Sequence, residues 1–292
     1  MKIDTLVLSG GGPSGIAFFG LFKSLFENGV LDKNLGGIKE IITTSIGILA
    51  AVSFILKLPI EVGINIILKY DIQKMINIDN IQVDDILVDF GLFETTGIRN
   101  IIQAILKNFK GVEDISLKEL YDISNIKLTV KVFNATKKQL EYISYENNPD
   151  LSILTLSQMT TAIPLFFKPV KYKDCIYVDG GMRGHFPIEE CKSDNYLGLF
   201  IMGGAFPEKS EIIQLFPILE YLYSLMINQD QIVYDIIDNK SNPRIIFLDV
   251  SYGLNFEMPQ EEKIKIIDQG FQKCKSHIES FTEFRHLEKD KV

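Results

Sequence analysis

Ile38-Lys39-Glu40-Ile41-Ile42-Thr43-Thr44-Ser45-Ile46-Gly47-Ile48-Leu49-Ala50-Ala51-Val52 is the stretch that decides the fold. It reads as a buried strand that ends in a tight turn at Thr43–Gly47 and re-enters as a helix. A serine at such a turn stands with its hydroxyl at the carboxyl end of a sheet, which is the geometry of a nucleophile elbow. Gly47 suits that turn, because the residue just past the serine must let helix and strand backbones approach closely. Thr43 suits it less well, since the usual G-x-S-x-G pattern has glycine there and a β-branched residue adds bulk. An S-x-G after a strand also arises by chance, so the rest of the chain must supply what a nucleophile needs.

Upstream, Thr5-Leu6-Val7-Leu8 is a continuous apolar run that ends in Ser9-Gly10-Gly11-Gly12-Pro13-Ser14-Gly15. Such runs suit a strand covered on both faces. Pro13 fits the first turn of a helix, and Ile16, Phe19, Leu21, Phe22, Leu25 and Phe26 keep helical spacing up to Asn28-Gly29. The order β-α-β-α predicts an α/β fold with a parallel sheet and right-handed crossovers. Downstream, residues 59–123 read as mainly helical, as core and cover, with a capping box at Ser116-Leu117-Lys118-Glu119. Strands are expected at 127–133, 139–144, 176–178, 196–202 and 244–250, with extended chain at 166–172. Helices are expected at 152–162, 212–225 and 231–237. A C-terminal helix from Pro259 would carry Ile264, Ile267, Phe271, Cys274, Ile278 and Phe281 on one face, with frayed residues 288–292. Without repeats, linkers or a composition break, 1–292 reads as a single domain.

Composition narrows the function classes. The 292 residues are 46% hydrophobic and 23% charged, ordinary values for a folded soluble chain. A net charge of -8 with no basic cluster argues against nucleic-acid binding. Cys175, Cys191 and Cys274 form an odd set without metal-type spacing, which predicts reduced thiols and a cytoplasmic setting. The N-terminus is unlike a signal peptide, and the longest apolar run, Ile46 to Leu56, is too short to span a bilayer. Any membrane contact is therefore expected to be peripheral.

A serine nucleophile needs a base and a group to hold the oxyanion. Gly10, Gly11 and Gly12 sit at the carboxyl end of the first strand, where successive N–H groups and the positive end of the following helix form an anion nest. Gly10, Gly12 and Gly15 also satisfy G-x-G-x-x-G, but no acid closes the second strand to bind a ribose, and the P-loop lysine is absent. For the base, His277 and His286 lie in the charged C-terminal helix, while His185 follows the Asp179 loop. Asp179 ends a strand at Asp179-Gly180-Gly181, and a partly desolvated carboxylate is basic enough to serve.

The ordered set Gly10-Gly11-Gly12-x-x-Gly15, Ser45-x-Gly47 and Asp179-Gly180-Gly181 resembles the patatin-like phospholipase family, over residues 5 to about 190. Thr161-Ala162-Ile163-Pro164-Leu165-Phe166-Phe167 and Pro187 are similar to it too. The resemblance implies a three-layer α/β/α sandwich with a mainly parallel central sheet, completed by residues 194–287. It implies Ser45 as nucleophile, Asp179 as general base, and an oxyanion hole from the backbone of Gly10, Gly11 and Gly12. Gly15, Gly47, Gly180 and Gly181 would support the turns. The implied activity is metal-free and cofactor-free hydrolysis of acyl esters in lipids or phospholipids at a membrane or micelle surface. Thr43, Ser14 (where Arg or Lys is common) and His185 (where Asn is usual) depart from the pattern. Thr43 and Ser14 motivate a silent lipid- or partner-binding protein as the alternative, with a Ser–His–acid hydrolase as a third reading.

Overall fold

The computed structural model describes residues 3–72, 88–203, 242–250, 256 and 258–289, the last nine as helix backbone only. A central sheet flanked by helices forms its framework. The strands are β1 (Thr5–Leu8), β2 (Glu40–Thr44), β3 (Gly91–Phe93), β4 (Lys127–Asn134), β5 (Gln139–Ile143), β6 (Leu165–Phe167), β7 (Val170–Tyr172), β8 (Cys175–Asp179), β9 (Tyr196–Gly203) and β10 (Ile245–Val250). The helices are α1 (Ala17–Glu27), α2 (Gly47–Ile55), α3 (Ile60–Lys69), α4 (Thr96–Lys110), α5 (Leu117–Ser124), α6 (Ile153–Thr161) and α7 (Gln260–Lys289). The expected helices at 212–225 and 231–237 lie outside the described residues.

The main sheet runs β10-β9-β1-β2-β4-β8-β7, with β5 also on β4. The first five strands are parallel, as the β-α-β-α opening predicts. Alternate residues feed opposite faces. Leu6, Leu8 and Ile41 join the large core under α1, α2 and α6, while Val7 and Ile42 join Phe186, Phe200 and Ile245 on the other face.

Strand β4 decides where the site forms. β2 pairs with it in parallel up to Thr44 opposite Lys131, and β8 pairs antiparallel with Asp179 opposite Val132. β5 occupies positions 130–134 of β4 as well, so it must take the other edge. β2 and β8 therefore share one edge and meet head-on. The residue after Thr44 is Ser45, and the last residue of β8 is Asp179.

Among its described residues the stretch 59–123 is mainly helical, as expected, and also contains β3, a three-residue strand paired with β6 that is too short for a periodicity signal. On α7 the expected Ile267 and Cys274 are buried and Ile278 packs against the core, but Ile264 is half exposed, and Lys263 and Ile266 are buried beside them. The real contact face follows Gly270, which lets α7 cross α1 so closely that a Cβ there would sit 2.5 Å from the Ala17 carbonyl. Gly20 makes the matching approach from α1, against the Ile267 carbonyl. Glu288 and Lys289 continue that helix, and residues 290–292 lie outside the description. Lys263 Nζ donates to the carbonyls of Ile67 and Tyr70 and so caps α3. Among the described residues no helix is long and apolar enough to cross a membrane.

Candidate active site

Ser45 adopts φ 52, in the left-handed region, between the end of β2 and the start of α2. That backbone state costs a non-glycine residue about 1–2 kcal/mol and persists here because the surroundings hold it. The Ser45 N–H donates to Thr160 Oγ1 at 2.8 Å, and that hydroxyl donates onward to the Lys131 carbonyl at 3.0 Å. Thr44 Oγ1 reaches the same carbonyl at 3.2 Å. Thr160, on α6, is thus a support for the turn that the sequence pattern did not flag. Nothing distinguishes it there from Thr161 or Ser157.

Thr43 proves compatible with the elbow for a reason visible in the packing. A Cβ on Gly47 would collide with Thr43 Oγ1 and sit 2.7 Å from the Ser9 carbonyl. Gly47, by carrying no side chain, leaves room for the Thr43 hydroxyl. Gly15 plays a similar part, since a Cβ there would run into the side chain of Ile46.

Asp179 is 3% exposed and Ser45 6%. The Ser45 hydroxyl hydrogen-bonds to the Asp179 carboxylate, and the Gly181 N–H donates to Asp179 Oδ1 at 2.7 Å. Burial pushes the carboxyl up to about 6, against the Ser45 and Gly181 hydrogen bonds and the charge of Lys131, which all lower it. The carboxylate is thereby ionised near neutral pH yet more basic than an exposed one. Gly180 packs on β4, where a Cβ would be 2.6 Å from the Lys131 carbonyl.

The glycine run divides in two. The Gly10 N–H is already donated to the His185 carbonyl at 2.6 Å, so it ties the loop down rather than facing a ligand. This corrects the expectation that all three N–H groups point at one spot. Gly11 (φ 149) and Gly12 (φ 52) take positive dihedrals that favour glycine and lead into a short 3-10 helix, Gly12–Ile16, continuous with α1. Gly10 still borders the elbow: a Cβ on it would lie 3.1 Å from Ser45 Cβ. Ser14 is fully buried, and its hydroxyl has no hydrogen-bond partner, as is true of Thr43.

Of the histidines, His185 lies beside Gly10 and Gly181, but its ring stacks on Phe200 at 5.0 Å. His277 Nε2 lies 3.0 Å from the Pro243 carbonyl, which precedes β10 and so belongs to the opposite end of the parallel strands from Ser45. The His286 side chain lies outside the described residues.

A pocket of about 60 Å³ opens beside Ser45. It is lined by Gly12, Pro13 and Ile46 on one side and by Ile67, Ile98 and Phe167 on the other, with no charged side chain in its walls among the described residues. Its outer wall comes from α3 and α4, a region that the sequence presents as plain cover. Phe18, Phe19, Phe22, Phe54 and Phe166 belong to the core, whereas Phe167 lines the pocket.

Comparison with known proteins shows the family and the fold of this chain. The sequence profile of the patatin-like phospholipase family matches residues 6–192. The chain belongs to the patatin-like phospholipase family. Among curated proteins, the probable lipid hydrolase 463L of Invertebrate iridescent virus 6 is 32% identical over 190 residues, a match that spans 63% of this chain and 62% of that protein. The uncharacterized protein R571 of Acanthamoeba polyphaga mimivirus is 21% identical over 286 residues, 95% of this chain and 94% of its own. Among solved structures, VipD from Legionella pneumophila superposes with a TM-score of 0.67 at 18% identity, covering 96% of this chain and 67% of VipD. That likeness shows a shared patatin-like fold.

Proposed function

We propose that this protein is a lipid acyl hydrolase that works through a Ser45–Asp179 dyad. The observation that carries the reading is the Ser45 hydroxyl, set at a left-handed turn and hydrogen-bonded to a buried carboxylate beside an apolar pocket. Family membership and the viral lipid hydrolase relative support the same substrate class.

In this reading Ser45 Oγ forms a bond to the ester carbonyl carbon while Asp179 takes the hydroxyl proton. The carbonyl oxygen becomes an oxyanion held by the N–H groups of Gly11 and Gly12, with the positive ends of the 3-10 helix and α2 behind it. Collapse breaks the bond to the leaving alcohol, which takes the proton from Asp179. Water, deprotonated by Asp179, then attacks the acyl-Ser45 ester; the bond from Ser45 Oγ to the acyl carbon breaks, Oγ takes the proton back from Asp179, and the fatty acid leaves. The pocket would hold the acyl chain, since its walls offer only apolar contact and a few hydroxyl or backbone groups. No step uses a metal or cofactor.

The alternative, a silent lipid binder, rests on Ser14 and Thr43. Gly47 accommodates Thr43, which leaves Ser14 as its remaining support. The test is turnover of a p-nitrophenyl ester and a phospholipid, with fluorophosphonate labelling read by mass spectrometry. Labelling at Ser45 and loss of turnover in Ser45→Ala are expected. A folded wild type that binds vesicles but neither labels nor turns over would put the silent binder first.

A further inference from the structure

A lysine is taken out of water only where its charge and all its N–H groups are met. Lys131, on β4, is 1% exposed. Its Nζ donates to the carbonyls of Arg183 and Gly184, each at 2.8 Å, and to Glu189 Oε1 at 2.6 Å. Three donors meet three acceptors. The Tyr142 hydroxyl donates to the same Glu189 oxygen.

The identity of those acceptors gives the contact its meaning. Arg183 ends the 3-10 turn Gly180–Arg183 that follows Asp179, and Gly184 adjoins it. The next residue, His185, holds the Gly10 N–H through its carbonyl. The Lys131 carbonyl in turn accepts from Thr44 and Thr160, the second of which holds the Ser45 N–H. One residue thus links the serine turn, the aspartate loop and the glycine loop. Its ammonium is committed to three acceptors and carries no lone pair, so it is no candidate for the base itself.

We propose that Lys131 is a positioning residue for the dyad: its ammonium clamps the Gly180–Gly184 loop onto β4 and sets a positive charge against the loop that follows Asp179. The proposal rests on the Ser45–Asp179 reading. Among the described residues, the charged and titratable groups around this pair include Glu189, Tyr142 and Glu141 on β5, Tyr177 on β8, His185, and Arg183, whose guanidinium lies 5.8 Å from the Phe133 ring centroid. The signs follow from Coulomb's law. Removing the lysine charge favours protonated Asp179, so the acid limb of the rate profile moves to higher pH. Neutralising Glu189 removes a negative charge and moves that limb the other way.

The experiment measures kcat, KM and their pH dependence on a short soluble ester for wild type, Lys131→Met, Lys131→Arg and Glu189→Gln, with thermal melts alongside. Lys131→Met is expected to lower kcat by about 10- to 100-fold with KM little changed, as misplacement of a reacting group does. Its acid limb should rise by about half a unit to one unit, and that of Glu189→Gln should fall. Lys131→Arg keeps the charge, and hence the limb, but loses kcat because a planar fork cannot match the three acceptors. A folded Lys131→Met with wild-type kcat and pH profile overturns the proposal. So does a shift of the same sign in Lys131→Met and Glu189→Gln. Should Lys131→Met not fold, the half-exposed Glu189 carries the test through the sign of its shift alone. If wild type neither labels nor turns over, the dyad reading has failed. The carboxyl titration of Asp179 is then followed by carbon NMR, with Asp179→Asn to assign the signal, and an unmoved midpoint in Lys131→Met and Glu189→Gln overturns the charge effect.

Discussion

Replacing Asp179 with Asn removes a carboxyl group that folding strains, and the effect can be worked out from its surroundings. Burial raises the group to about 6 from the ordinary carboxyl value of 3.8. The folded pKa lies above the unfolded one, so between those values the folded state holds more protons and stability falls as pH rises. Below the unfolded value the penalty is absent; above about 6 it is complete. Two pKa units correspond to about 3 kcal/mol. Asn has nothing to ionise and keeps an oxygen that can accept the Gly181 N–H. Urea unfolding of both proteins from about pH 4 to about pH 8 reads the effect as the change in their stability difference. Asp179→Asn should gain about 2–3 kcal/mol on wild type across that range, most of it before about pH 7. Any offset from altered hydrogen bonding is independent of pH and drops out. The same variant should be inactive at every pH, while wild-type activity rises through about 6 as the base ionises. A flat stability difference, or one that grows in favour of the wild type, would refute the reasoning.

Three further outcomes are expected. Thr160→Val removes the acceptor of the Ser45 N–H and should cost about 1–3 kcal/mol in chemical denaturation together with a fall in kcat; unchanged stability would mean that the turn needs no such support. Gly20→Ala puts a Cβ against the Ile267 carbonyl where α1 crosses α7, and should lower stability by about 1–3 kcal/mol in a thermal melt. Ile98→Phe narrows the pocket and should cut turnover of a long-acyl p-nitrophenyl ester about tenfold more than that of the acetate. An equal effect on both esters would place the acyl chain elsewhere.

Local chemistry explains which parts of this protein are legible in its sequence. β1, β2, α1 and α2 each carry their own signal, as an apolar run, a glycine stop or a tight turn, so the serine, the glycines and the aspartate could be named one by one. The distances between them could not. They depend on β4 handing one edge from β2 to β8, which is a matter of register and leaves no mark in local pattern. Lys131 hides for a related reason. In Leu128-Thr129-Val130-Lys131-Val132 it sits at the outward step of an alternating strand, where lysine ordinarily meets water. The loop that covers this step arrives from residues 180–189. The pocket wall from α3 and α4 is likewise built of isoleucines indistinguishable from core, and Gly10 loses its N–H to a carbonyl far along the chain.

The departures from the family pattern acquire physical content once these contacts are known. At Thr43 the question is volume, and Gly47 answers it from across the elbow. At Ser14 the question is charge. A fully buried hydroxyl stands next to the glycine loop where the family commonly has a cation, so in the dyad reading negative charge would be stabilised by other means. Two are present: backbone N–H groups at Gly11 and Gly12 in conformations suited to glycine, and the helix ends behind them. The cation proposed to act on the carboxylate, Lys131, sits instead on β4, against the loop that follows Asp179. A cation at position 14 would act beside the forming oxyanion, whereas one at 131 acts on the base. In the dyad reading the two substitutions are therefore not interchangeable. Restoring Arg at 14 would not replace a lost Lys131, because the pH profile follows the carboxylate and the carboxylate feels β4.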